Sequence, residues 1–121
     1  MSKTVLIAED DPSIRSALQA YLQAKGMDVI TARDGAEAIA LLDQALPAVV
    51  VLDLLMPKID GLEVLRHLRE RNARIPVIIS TNLSKGYDPQ KWEELGASEV
   101  VIKSQISLKQ LADKIRGYMA P

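Results

Sequence analysis

The feature that most constrains this chain is the run Val49-Val50-Val51-Leu52-Asp53, continued by Leu54-Leu55-Met56-Pro57-Lys58-Ile59-Asp60-Gly61. Three consecutive valines and a leucine, with no polar alternation, read as a strand buried on both faces. The run ends on an aspartate, ahead of a Pro-bearing loop and the opening of a helix. A carboxylate left ionised there with nothing around it is costly or shifts its pKa upward. A metal ion and a lysine are the compensating groups to look for.

Strands and helices alternate on either side of that run. Thr4 to Ala8 reads as a first strand, and Asp11-Pro12 as an N-cap followed by Pro at the first helical position. Ile14, Ala17, Leu18, Tyr21 and Leu22 recur at helical spacing, and Lys25-Gly26 supplies the stop. Met27 to Ala32 is a weaker second strand. Asp34 and Glu37 have capping-box form and open a helix through about Ala45, and the central strand spans about Ala48 to Asp53. Asp60 and Glu63 form another capping box, stapled by Ile59 and Val64, with Val64, Leu65 and Leu68 facing the core of a helix that frays near Asn72. Pro76 to Thr81 is a fourth strand, Asn82 to Asp88 a loop, and Pro89 to Leu95 a short helix closed by Gly96. Glu99 to Lys103 is the fifth strand. Ser107 with Gln110 caps the last helix, whose stripe is Leu108, Leu111, Ala112, Ile115 and Met119. Right-handed crossovers of this length predict a doubly wound α/β fold. Its sheet is parallel and five-stranded, in the flavodoxin-like order 2-1-3-4-5, with five helices on both faces. One domain fills residues 1–121.

Bulk properties exclude several function classes. A net charge of -1 gives no electrostatic case for nucleic acid or anionic membrane, and 3% aromatic content argues against base-stacking platforms. No apolar run reaches the roughly 18 residues of a membrane span, and no signal-peptide pattern opens the chain. The absence of Cys removes disulfides and thiolate metal sites and suits a cytoplasmic protein.

The chemistry collects at the carboxyl ends of the strands, where doubly wound sheets bind ligands. Glu9 and Asp10 follow strand 1, Asp53 ends strand 3, Thr81 ends strand 4 and Lys103 ends strand 5. Three carboxylates this close need a cation, and hard oxygen ligands suit Mg²⁺. Asp53 can attack phosphorus to form an acyl phosphate, with the metal and the Lys103 ammonium neutralising charge and Thr81 donating a hydrogen bond. Asp11 is an N-cap and is not counted as a ligand. Ser80 is the rival of Thr81; alternation turns Ser80 toward the sheet's flank, which favours Thr81.

Glu9-Asp10, Asp53-Leu54-Leu55-Met56-Pro57 with Asp60-Gly61, Thr81 and Lys103 resemble the response-regulator receiver domain of two-component signalling, the CheY-like family, over essentially the whole chain. The resemblance implies that Asp53 accepts a phosphoryl group from the phosphohistidine of a sensor histidine kinase or histidine phosphotransfer protein. It implies Mg²⁺ held directly by Asp10 and Asp53 with the Leu55 carbonyl, and Glu9 nearby through water. Backbone N–H groups of Leu54 and Asn82 would cradle the phosphoryl oxygens. The implied protein is a cytoplasmic phosphorelay switch that assists its own phosphorylation and dephosphorylation without being a turnover enzyme. A downstream protein would read the face of helix 4, strand 5 and helix 5. Three positions depart from the family pattern: Ser104 stands where proline usually follows the lysine, Val100 where an aromatic ring often reports the state, and Asn82 where Ala or Gly is usual.

Bland readings apply elsewhere. His67, between Arg66 and Arg69, reads as a solvated surface residue, and the basic run from Arg66 to Arg74 as a helix exterior. Trp92 reads as packing the fourth helix onto the sheet, with Tyr87 or Trp92 as substitutes for the missing aromatic reporter. Leu55 and Leu83 would screen the path of hydrolytic water and prolong the phosphoaspartate. With the chain ending at Pro121, no DNA-binding output domain is expected within it, whether it acts alone or derives from a longer chain. An aspartyl phosphatase is disfavoured because Leu55 stands where that class places its general acid. A nucleotide-binding protein is disfavoured by the lack of a glycine-rich turn after strand 1. The remaining alternative is a degenerate receiver that binds protein and is not phosphorylated.

Overall fold

A computed structural model describes residues 4–54, 61–71, 74–82 and 89–119. Along the chain, β1 (Thr4–Ala8), α1 (Pro12–Ala24), β2 (Asp28–Ala32), α2 (Gly35–Gln44), β3 (Val49–Asp53), α3 (Gly61–Glu70), β4 (Val77–Thr81), α4 (Pro89–Glu94), β5 (Glu99–Ile102) and α5 (Leu108–Met119) alternate. A 3-10 turn, Lys103–Gln105, precedes α5. All five residues of β3 are buried, as its unbroken apolar sequence requires. The strands order as β2-β1-β3-β4-β5 and every pair is parallel. This is the expected flavodoxin-like fold.

Two-residue periodicity sends alternate strand side chains into two separate cores. Val5, Ile7, Val49, Val51 and Ile78 pack against Leu18 and Leu22 of α1 and Leu111 and Ile115 of α5. Leu6, Val50, Leu52, Val77 and Ile79 pack against Leu42 of α2 and Val64, Leu65 and Leu68 of α3, with Trp92 of α4 half-buried beside them. Trp92 thus packs α4 onto the sheet. No helix of the described residues is long and apolar enough to cross a membrane.

The helix starts are set by local chemistry. Asp11 Oδ1 accepts from the N–H groups of Ser13 and Ile14 at 2.8 and 3.3 Å. Ser107 and Gln110 make the reciprocal capping box, at 3.0 and 2.8 Å. At α2, Asp34 accepts from Glu37 N at 2.8 Å, but the Glu37 carboxylate reaches back to Arg33 N at 3.2 Å, one residue beyond the ordinary box. The Asp60–Glu63 box, the Ile59 staple and the fraying near Asn72 lie outside the described residues, as do Leu55, Leu83 and Tyr87.

Several solvent assignments change. Ile14 and Leu108 carry the helical period yet are 40% and 39% exposed, and Ala17 is exposed, so the buried stripe of α1 narrows to Leu18 and Leu22. His67 is not simply solvated: its Nε2 lies 2.9 Å from Asp43 Oδ1, which also accepts from Arg71 at 2.8 Å. Arg69 turns inward, donating to the carbonyl oxygens of Ile75 (3.0 Å) and Gly96 (2.6 Å). Those carbonyls lie just before β4 and just after α4, and a long side chain on α3 supplies donors to both. Gly96 is favoured there by its backbone conformation, and any side chain would also displace the Arg69 guanidinium. Its φ is +107°, and a Cβ would lie 2.7 Å from Arg69 Nε.

Arg69→Ala removes the donors to both carbonyls, and the expected loss is about 1–3 kcal/mol of stability. A urea titration should show the midpoint falling with an unchanged slope. Arg71→Ala, at a half-exposed pair, should cost less than about 1 kcal/mol.

Candidate phosphoacceptor site

The carboxyl ends of β1, β3 and β5 bring charged groups together on the α1/α5 side of the sheet. Glu9 follows β1 and keeps its strand position through its N–H, which donates to the Ala32 carbonyl at 3.0 Å. Asp53 closes β3 and pairs in register with Ser80 of β4. Lys103 begins the 3-10 turn one residue after β5, rather than ending the strand. Its Nζ lies 2.6 Å from Glu9 Oε1 and 3.1 Å from Asp53 Oδ2. Both carboxylates are buried, at 4% and 5% exposure, whereas Asp10 is exposed.

Glu9, Asp10 and Asp53 each offer one carboxylate oxygen within 4.8 Å of the others. An all-oxygen set with an exposed member fits a hard divalent cation that keeps part of its water shell, as Mg²⁺ does. The β1–α1 turn that presents Glu9 and Asp10 is pinned by Arg15, whose guanidinium donates to the Glu9 carbonyl at 3.0 Å and the Asp10 carbonyl at 3.4 Å. Asp11 N also donates to Glu9 Oε2 at 3.2 Å. Arg15 escaped sequence reasoning; its place in the first turn of α1, just after two acids, is the only local signal of it.

One ammonium is shared by two buried carboxylates. Burial raises the Glu9 carboxyl to about 7, with the charge of Asp53 adding to the rise and the Lys103 hydrogen bond partly opposing it. Burial alone would lower the Lys103 pKa, but hydrogen bonds to Glu9 and Asp53 outweigh it and the ammonium is held more firmly than usual.

The two hydroxyls of β4 divide differently from the expectation. Ser80 shares the face of Asp53 and lines a cavity with Glu9, Asp53 and Lys103, so it is not turned to the flank. Thr81 is buried but does not line that cavity, and its Oγ1 donates to the Asn82 carbonyl at 3.1 Å. Alternation explains both: Ser80 follows Ile78 onto the α1/α5 face, and Thr81 follows Ile79. Asn82 is exposed at the end of β4. The Leu54 carbonyl accepts from Gly61 N at 3.2 Å, which joins the start of α3 to the end of β3. A Cβ at Gly61 would lie 2.6 Å from the Asp53 carbonyl oxygen and 3.0 Å from Leu54 Cα, so glycine is needed for this close approach. Leu55, implied as a carbonyl ligand, lies outside the described residues.

A folded-state carboxyl raised from 4.5 to about 7 gives stability that is complete below pH 4.5 and is lost as pH rises to 7. In chelator-treated protein, the urea-derived stability should therefore fall by about 1–2 kcal/mol between pH 5 and 7.5 relative to Glu9→Gln. Adding Mg²⁺ should flatten that difference. Gly61→Ala meets backbone atoms that cannot swing away, and the expected cost is about 1–3 kcal/mol in the same titration.

Residues 5–116 match the family model described as the response regulator receiver domain. The chain is 38% identical over 103 residues to the alkaline phosphatase synthesis transcriptional regulatory protein PhoP of Bacillus subtilis, covering 85% of this chain and 43% of that protein. It is 41% identical over 115 residues to the probable transcriptional regulator ycf27 of Guillardia theta, covering 95% and 44%. The chain thus spans less than half the length of these relatives. Among solved structures, the receiver domain of the Francisella response regulator 1452 superposes with a TM-score of 0.89 at 29% identity, covering 96% of this chain and 95% of that one. The BeF3-activated N-terminal receiver domain of Klebsiella pneumoniae RstA gives 0.88 at 27% identity, covering 98% and 99%. With its acids gathered at the edge of a 2-1-3-4-5 sheet, the chain belongs to the receiver domains of two-component response regulators, signalling domains whose general function is phosphorylation-dependent switching.

Proposed function

We propose that Asp53 is the phosphoacceptor of this receiver domain and that its donor is the phosphohistidine of a sensor histidine kinase or histidine phosphotransfer protein. One observation carries this reading: the Lys103 ammonium lies 3.1 Å from an Asp53 oxygen in a site that also gathers Glu9 and Asp10. An oxygen of the Asp53 carboxylate attacks phosphorus, the O–P bond forms, and the P–N bond to the donor imidazole breaks, with its electron pair leaving on nitrogen. Lys103 neutralises charge on the transferred group, and backbone N–H groups of Leu54 and Asn82 orient its oxygens. Asp10, Asp53 and the Leu55 carbonyl would hold Mg²⁺, with Glu9 close by. When bound, the metal supplies charge neutralisation for phosphoryl transfer.

Hydrolysis of the acyl phosphate returns the domain to its resting state with help from the same groups, and Leu55 and Leu83 slow it by screening water. Thr81 exchanges its bond to the Asn82 carbonyl for one to the phosphoryl group, drawing the end of β4 inward. The altered surface is that of α4, β5 and α5, read by a downstream protein in the cytoplasm. Val100, half-buried on β5, carries no aromatic ring to report the change, and Tyr87 or Trp92 would report it instead by exposing or burying its ring.

The reading is tested by intact mass after incubation with acetyl phosphate. A single phosphoryl adduct should form in wild type with Mg²⁺, and none without Mg²⁺ or in Asp53→Asn. Lys103→Ala should lower its rate of formation by at least about tenfold. No adduct, also with phosphohistidine donors, would leave a receiver fold used only for protein binding.

A further inference from the structure

Three consecutive carbonyl oxygens in the turn between β1 and α1 accept hydrogen bonds from Arg15. Its backbone N–H donates to Asp11 at 2.9 Å, and its Nη1 donates to Glu9 at 3.0 Å and, more weakly, to Asp10 at 3.4 Å. The residue sits in the first turns of α1, half-buried, with its side chain reaching back over the helix start. This turn supplies two of the three carboxylates of the acidic cluster, and Asp10 is its exposed member. Asp53, the third, is fixed differently, by a strand paired on both sides.

We propose that Arg15 is a positioning residue for Mg²⁺: through the Glu9 and Asp10 carbonyls, its guanidinium holds the Asp10 carboxylate at the spacing from Asp53 that a small hard cation requires. The inference rests on the reading of Glu9, Asp10 and Asp53 as a Mg²⁺ site and adds to it a residue that touches neither metal nor phosphoryl group. Mg²⁺ demands near-octahedral geometry at about 2.0–2.1 Å, so movement of a turn that carries ligands is felt directly in affinity. Three carboxylate oxygens within 4.8 Å repel one another, and the exposed turn is the part of the cluster that can yield. Lys103 opposes that repulsion at the Glu9 and Asp53 carboxylates, and Arg15 opposes it at the backbone of the turn. The choice of acceptor matters. A guanidinium bonded to the carboxylates would compete with the metal, whereas one bonded to carbonyls restrains the turn and leaves the Asp10 carboxylate to the cation. The charge of Arg15 works the other way, because a fixed positive group near the cluster disfavours a further cation. Position and charge therefore predict opposite signs for the loss of Arg15, and the sign can be measured.

The test is a Mg²⁺ titration of chelator-stripped, unphosphorylated protein, followed by amide NMR shifts at Asp10 and Asp53, in wild type, Arg15→Met and Arg15→Lys. Arg15→Met keeps a long stem and removes both the donors and the charge. Its Mg²⁺ dissociation constant should rise about tenfold, the low end of what the loss of a ligand-orienting group costs. One nitrogen serves both carbonyls, so an ammonium with its three donors can stand in for it. Arg15→Lys should therefore return the constant to within about threefold of wild type. A cooperative urea transition of each metal-free variant establishes that the domain is folded. Arg15→Ala, with the highest helix propensity, takes the place of Arg15→Met if the latter gives no such transition. Unchanged or tighter Mg²⁺ binding without the Arg15 donors, whatever the urea midpoint, would overturn the proposal, and so would a loss that Arg15→Lys does not reduce. No Mg²⁺-dependent shift in wild type would overturn the metal site and this proposal with it. The titration contains no phosphoryl donor, so failure of Asp53 as phosphoacceptor and failure of Arg15 as a positioning residue are distinguishable.

Discussion

The Lys103 ammonium between the Glu9 and Asp53 carboxylates is the interaction on which the functional edge depends. Two acids buried at 4% and 5% exposure would repel one another and lose hydration without return if no cation stood between them. Lys103 does this from the far side of β4, because its position just after β5 lets a long side chain reach across to β3 and β1. The strand ends are thereby joined by charge as well as by the backbone ladder. Burial, reinforced by the Asp53 charge, leaves Glu9 a weak acid, and the three carboxylates together leave the cluster suited to a further cation.

The parallel sheet converts sequence alternation into a division of labour. Residues in phase with Ile7, Val51 and Ile78 reach the α1/α5 side, so Glu9, Asp53 and Ser80 arrive together beside the cavity there. Residues in phase with Leu52 and Ile79 enter the opposite core, where Thr81 bonds the Asn82 carbonyl. The two hydroxyls of β4 are thus neighbours in sequence and separated by the sheet. Gly61 adds a constraint from the chain itself, since α3 can begin against the Asp53 and Leu54 backbone only without a Cβ.

Local signals in the chain were legible where one residue's chemistry decides the structure. The Asp11 and Ser107 caps, the uninterrupted burial of β3, the order of elements and the gathering of Glu9, Asp10, Asp53 and Lys103 at one edge could all be read from residues and spacing. The misreadings share another cause. Arg69 and His67 read as solvent-facing because their partners, the Gly96 and Ile75 carbonyls and Asp43, are brought near only by packing. Ile14 and Leu108 read as core because helical periodicity says nothing about where a neighbouring helix stops covering a stripe.

By itself, the sequence determined which segments are strands and helices, the parallel sheet and the set of acids and lysine that meet at its edge, because burial pattern, capping and strand-end position are local properties. Only the tertiary structure decided that Lys103 bridges Glu9 and Asp53, that Ser80 rather than Thr81 shares their cavity, and that Arg15 pins the turn carrying the acids. The first two depend on distances between segments far apart in the chain, and the third on the direction in which the Arg15 side chain folds back over the turn. Side-chain reach and strand phase set those distances, and both become definite only when the layers pack.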